Sequence, residues 1–81
     1  MQVHARFFAS YRDLVGAAAL DVEVPDGATV SELVGRLRER GGAFAALPAL
    51  PAVAVNRVYA HQHEALSEGD EVAFIPPVAG G

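Results

Sequence analysis

The chain has 81 residues, and its 52% hydrophobic content supplies enough apolar surface for a core, so an intrinsically disordered chain is excluded; a domain of this size buries roughly 60% of the surface its unfolded form exposes. Its net charge of −4 argues against a nucleic-acid partner, because such binders carry a basic stripe. It contains no Cys, which excludes disulfides, thiolate metal sites and thiol nucleophiles, and all six of its basic residues are Arg, so no side-chain amine is available to receive an isopeptide bond.

Gln2 to Phe8 alternates, with Val3, Ala5 and Phe7 on one face and His4, Arg6 and Phe8 on the other, the period of a half-buried strand. Ser10 then precedes Tyr11-Arg12-Asp13-Leu14-Val15, and Gly16 follows, which predicts a one- to two-turn helix with Ser10 as N-cap and Gly16 as its C-terminal stop. Leu20, Val22 and Val24 alternate with Asp21 and Glu23 as a second strand, closed by a turn at Pro25-Asp26-Gly27. Thr29-Val30-Ser31-Glu32 is a capping box, whose hydroxyl and carboxylate can satisfy two free amides. The helix it opens carries Val30, Leu33, Val34 and Leu37 as a single apolar stripe and ends at Gly41-Gly42. Residues 43 to 52, broken by Pro48 and Pro51, read as a connector partly tucked against the core. Val53-Ala54-Val55-Asn56 is a strand, Asn56-Arg57 a turn into Val58-Tyr59-Ala60 with Val58 facing the core, and Ser67-Glu68-Gly69-Asp70 a further turn. Glu71 to Ile75 is the last strand, with Val72 and Phe74 opposite Ala73 and Ile75, and Pro76-Pro77 ends it by removing two backbone donors.

One strongly amphipathic helix among these strands is most economically packed across one face of a mixed sheet, an α+β domain spanning residues 1–81 with a flexible tail at 76–81. The expected core is Val3, Ala5, Phe7, Leu20, Val22, Val24, Val30, Leu33, Val34, Leu37, Val53, Val55, Val72 and Phe74. The apolar runs are far shorter than the ~20 residues of a membrane span. The start of the chain, with Arg6, Arg12 and Asp13, does not read as a secretory signal, so a soluble cytoplasmic protein is expected.

Little here reads as catalytic machinery. His61-Gln62-His63 would place two imidazoles on one side of an extended segment, but no third ligand accompanies them, and a solvated polar edge with no metal is the expectation. The acidic residues at 21, 23, 68, 70 and 71 fall on strand exteriors or in turns. No Ser-His-Asp order is present, so an enzyme acting alone is not expected. Two features remain. Phe8, Tyr59 and Ile75 fall on the sheet face away from the helix, either as ordinary exposed apolar residues or as a patch for a protein partner. Gly80-Gly81 closes the sequence after Pro76-Pro77-Val78-Ala79. Such an end is either a frayed terminus or a tail narrow enough to enter a tunnel, carrying the Gly81 carboxylate.

Val55-Asn56, with the run from Leu66 to Gly81 that contains Gly69-Asp70-Glu71-Val72 and Pro76-Pro77-Val78-Ala79-Gly80-Gly81, resembles the close of the small-subunit family of molybdopterin synthase. Arg6-Phe7-Phe8-Ala9 and Arg12-Asp13-Leu14-Val15-Gly16 resemble that family's opening, while residues 41 to 54 carry little of the likeness. The resemblance implies a β-grasp, ubiquitin-like fold and a sulfur carrier of molybdenum cofactor biosynthesis. By it, Gly81 is adenylated by an E1-like adenylyltransferase that uses ATP and Mg, and a sulfur donor protein then converts it to a thiocarboxylate. By the same resemblance, the chain itself would bind no cofactor. Pro77, Val78, Ala79, Gly80 and Gly81 would enter the active site of the large synthase subunit, which holds cyclic pyranopterin monophosphate and supplies the catalytic side chains. The assembly implied has two small and two large subunits, docked through Phe8, Tyr59 and Ile75, with Arg12 a contact for the activating enzyme. A carrier for thiazole or cysteine biosynthesis, a ubiquitin-like protein modifier and an interaction domain with an inert terminus are the alternatives.

Overall fold

The computed structural model describes residues 1–77. The chain runs β1 (Gln2–Phe7), α1 (Ala9–Val15), β2 (Ala19–Glu23), α2 (Val30–Glu39), a 3₁₀ turn (Gly42–Ala46), β3 (Ala52–Val55), β4 (Val58–Ala60) and β5 (Glu71–Ile75). The five strands form one mixed sheet in the order β2-β1-β5-β3-β4, in which β1 and β5 are parallel and the other neighbours antiparallel. With α2 laid against one face, this is the β-grasp arrangement. No helix is long and apolar enough to cross a membrane among the described residues.

Strand alternation decides which side chains meet α2. Val3, Ala5 and Phe7 from β1, Val22 from β2, Val53 from β3, and Val72 and Phe74 from β5 are buried with the α2 stripe Val30, Leu33, Val34 and Leu37 in one cluster. Phe7 and Phe74, adjacent across the parallel pair, stack at 5.2 Å between ring centroids, and Phe44 of the 3₁₀ turn meets Phe7 edge-on at 6.2 Å. Burying each such side chain contributes roughly 1.5–3 kcal/mol. Leu20 and Val55, expected in the core, are only partly buried at its margin, while Ala28, Leu47 and Leu66 complete it from loops that have no periodicity to betray them.

α2 begins as the sequence predicts, but its amides find other partners. The Thr29 hydroxyl accepts the Glu32 amide at 3.3 Å, and the Glu32 carboxylate meets that hydroxyl at 3.4 Å instead of a backbone amide. Val30 and Ser31 donate their amides to the carbonyls of Glu64 and Gln62. A distant loop therefore caps half of the first turn, where an N-terminus otherwise leaves four amides without partners.

Three local expectations are corrected. Phe8 is not in β1: it is the residue capping α1, in extended conformation, and Ala9 turns the chain at a φ of 47°. Ser10 is not the N-cap but lies in the first turn, because the Phe8 carbonyl already accepts the amides of Tyr11 and Arg12. Val58 shares the core side of β4 by its register with Val55, yet it is 69% exposed, because β4 is the edge strand and has a neighbour on one side only.

Candidate functional site

The register places Gln2, His4 and Arg6, Ala19, Asp21 and Glu23, Glu71, Ala73 and Ile75, Ala52 and Ala54, and Tyr59 on the face away from α2. This outer face divides into two halves. On β2 and β1 it is polar and charged: His4 shares a hydrogen bond with Asp21 directly across the strands, and Arg6 reaches Glu71 at 3.6 Å while its guanidinium lies 5.1 Å from the centre of the Phe8 ring. Exposed pairs of this kind contribute about 0–1 kcal/mol, so they shape the surface more than they hold the fold. Apart from Glu71, which begins β5 and belongs to the charged half, the face on β5, β3 and β4 carries Ala52, Ala54, Ala73, Ile75 and Tyr59, and the small alanines leave a shallow floor between the two larger side chains.

That apolar half runs into a groove of about 510 Å³ where β5 ends. Tyr11 of α1, Leu50 and Pro51 of the connector, Tyr59, Ile75 and Pro77 shape its walls, and none of its lining residues is charged. Leu50 stands 68% exposed between this groove and a second of about 220 Å³ on the helix side, walled by Val30, Val34 and Ala60. Pro48 and Pro51 explain the position: each fixes φ and lacks an amide to donate, so the segment between them neither joins the sheet nor continues the 3₁₀ turn. Leu47 is buried in the core and Leu50 faces outward.

Of the residues expected at a partner surface, Ile75 and Tyr59 share the groove, Ile75 half-buried and Tyr59 74% exposed. They are not on adjacent strands; β3, with Ala52 and Ala54, lies between them. Phe8 does not line the groove: it sits at the start of α1 beneath Arg6. Arg12 is exposed on the last turn of α1, and Pro77 is at the lip of the groove. Val78, Ala79, Gly80 and Gly81 lie outside the described residues. Tyr11 and Leu50 were missed by strand parity because neither is in a strand. The available signal was an aliphatic residue held between two prolines.

At the opposite end of β5 the two separated motifs, Val55-Asn56 and Gly69-Asp70-Glu71, come together. Asn56 and Arg57 adopt left-handed φ values of 49° and 71°, as a two-residue hairpin turn demands. The Asn56 side-chain amide donates to Asp70 at 2.9 Å and its carbonyl accepts the Glu71 amide at 3.0 Å, while Asp70 also accepts the Ser67 amide at 2.8 Å.

The His61-Gln62-His63 segment is a turn, not an extended run. The Nδ1 of His61 accepts the His63 amide at 3.1 Å, its Nε2 lies 3.6 Å from Glu64, and the carbonyl of Gln62 serves α2. No group of three His, Cys, Asp or Glu side chains that could hold a metal ion occurs among the described residues.

Among known proteins, the chain matches the ThiS family over residues 5–81. It is 37% identical to the molybdopterin synthase sulfur carrier subunit of Chlamydomonas reinhardtii, with 100% of each chain covered. It is 35% identical to small archaeal modifier protein 3 of Haloferax volcanii, again with 100% of each covered. The solved structure described as molybdopterin converting factor subunit 1 of Pyrococcus furiosus has a TM-score of 0.83 at 31% identity, covering 96% of this chain and 99% of that one.

Proposed function

The chain belongs to the ThiS family, and from that premise we propose that it is a sulfur carrier for molybdopterin synthesis whose reacting group is the carboxyl of Gly81. One observation carries the reading: the likeness to a sulfur carrier subunit extends over the whole of both chains, and the family match runs through residue 81. The geometry is compatible with it. β5 is the central strand of five, so the residues that follow it leave from the part of the sheet held on both sides.

A carboxylate is a poor electrophile, so the carbon of Gly81 must first be activated. In the proposed sequence a carboxylate oxygen attacks the α-phosphorus of ATP on an activating partner, with Mg held there, and pyrophosphate leaves. Sulfur at the sulfide level, supplied by a donor protein, attacks the acyl carbon and displaces AMP, leaving the Gly81 thiocarboxylate. In the large subunit the thiocarboxylate sulfur bonds to an oxygen-bearing carbon of the cyclic pyranopterin precursor, whose C–O bond breaks as the oxygen leaves. Water then cleaves the acyl–sulfur bond, which restores the Gly81 carboxylate and leaves the sulfur on the pterin. Two such deliveries build a dithiolene. This chain supplies the tail and the docking surface; the catalytic side chains belong to the partner. The absence of Cys accords with sulfur carried on a backbone carboxyl.

The test is intact-protein mass spectrometry. Incubated with the activating enzyme, ATP and a sulfur donor, the chain gains the mass of one oxygen-to-sulfur exchange, and loses it when the large subunit and precursor are added. One residue appended after Gly81 abolishes the exchange and leaves the melting temperature unchanged. A second reading, a protein modifier joined through Gly81 to lysines of other proteins, is favoured by the likeness to an archaeal modifier protein. Recovery of Gly81 only in isopeptide bonds, with no thiocarboxylate, would establish that reading instead. Having no Lys, the chain could not be linked to itself through side chains.

A further inference from the structure

We propose that Leu50 is an anchor by which the large synthase subunit grips this chain, seated over the uncharged groove at the root of the tail; the inference rests on the sulfur-carrier reading above. The argument begins with reach. Four residues separate Pro77 from the end of Gly81, and an extended chain advances at most ~3.3–3.6 Å per residue, so whatever protein acts on Gly81 works within about 14 Å of Pro77. Pro77 is itself part of the groove wall. A protein that receives the tail therefore covers the groove, and its surface there must suit a site with two tyrosines and several aliphatic and proline side chains but no charge.

Leu50 is the large aliphatic side chain that this site exposes most, at 68%. Its position between Pro48 and Pro51 means that little backbone freedom is lost when it is covered. It also walls the second groove, so a partner closing over it gains apolar contact on both sides of the ridge. Tyr11 and Tyr59 line the first groove beside Leu50, and tyrosine is among the residues from which interfaces draw most of their affinity.

Val58 provides the contrast. It is equally exposed, at 69%, but lines a different depression whose walls include Glu64 and Asp70. Exposure alone therefore does not distinguish the two residues; only Leu50 lies at the root of the tail.

The experiment is calorimetric titration of the full chain with the large subunit, comparing wild type, Leu50→Glu, Leu50→Met and Val58→Glu, with thermal melting of each. Leu50→Glu is expected to bind at least tenfold more weakly, while Leu50→Met and Val58→Glu stay within threefold of wild type and all four melt alike. Binding of Leu50→Glu within threefold of wild type, or an equal loss in Val58→Glu, overturns the assignment of Leu50 while the carrier reading stands. Failure of the wild-type chain to bind the large subunit overturns both together.

Discussion

Where β5 begins, Asp70, Asn56 and Ser67 are tied by hydrogen bonds of 2.8–3.0 Å, and the Asp70 carbonyl accepts the amide of His4 on the neighbouring strand. Where β5 ends, Ile75 leads into Pro76-Pro77 beside a groove without a charged residue. The first end is directional and internally satisfied, so it sets the strand's register and leaves nothing for a partner to complete. The second end is apolar and open, and apolar contact is indifferent to small changes of angle. A strand pinned at its start can present its end in a fixed place, and the surface around that end remains free to be covered by another protein.

The largest effect expected within β5 comes from reversing its faces. Phe74→Asp puts a carboxylate where the side chain is fully buried against Phe7, at a cost of several kcal/mol out of a total stability of about 5–15 kcal/mol. It should abolish the cooperative thermal transition. Ile75→Asp, one residue along on the outer face, should melt as a folded protein but bind the large subunit more than tenfold more weakly, a loss above about 1.4 kcal/mol. If Ile75→Asp unfolded the chain and Phe74→Asp did not, the two faces would be exchanged.

A smaller change separates the two ends. Asn56→Ala removes both side-chain bonds at the start of β5 and leaves Asp70 one donor short, so about 1–3 kcal/mol of stability should be lost in urea unfolding. Binding of the large subunit by the folded variant should stay within threefold of wild type. An affinity loss matching that of Ile75→Asp would mean that the two ends are not independent.

The smallest effect is expected on the charged half of the outer face. Arg6→Ala removes the 3.6 Å pair with Glu71 and the contact over Phe8, both partly exposed, and should cost about 1 kcal/mol or less in the same unfolding measurement. A loss as large as that of Asn56→Ala would show the charged half to be part of the fold's support.

Much of this molecule was legible before its fold was known. The alternation of Val3, Ala5 and Phe7, the stripe from Val30 to Leu37 and the opposed pairs Val72/Ala73 and Phe74/Ile75 all fall on the sides the sequence predicts. What was misread fails for identifiable reasons. Phe8 continues the alternation of β1 in sequence, but Ala9 turns the chain before the residue can join the ladder. Val58 has the parity of a core residue, but parity names a side of the strand and not what covers it. Leu50 carries no periodic signal, because prolines on both sides keep it out of any repeating element.

Side-chain period is a local property of the backbone, two residues in a strand and 3.6 in a helix, so the sequence by itself determined the elements and the faces they turn inward. It also determined that the chain offers neither a thiol nor a lysine amine. Only the tertiary structure decided that β1 and β5 lie parallel at the centre of the sheet, that Glu64 and Gln62 cap α2, that Asn56 meets Asp70, and that Leu50 comes to rest across a groove from Tyr59. Each of these joins residues brought together by loop closure and edge pairing. Those depend on how the elements pack as a whole, and no local pattern of apolar and polar residues encodes which edges meet.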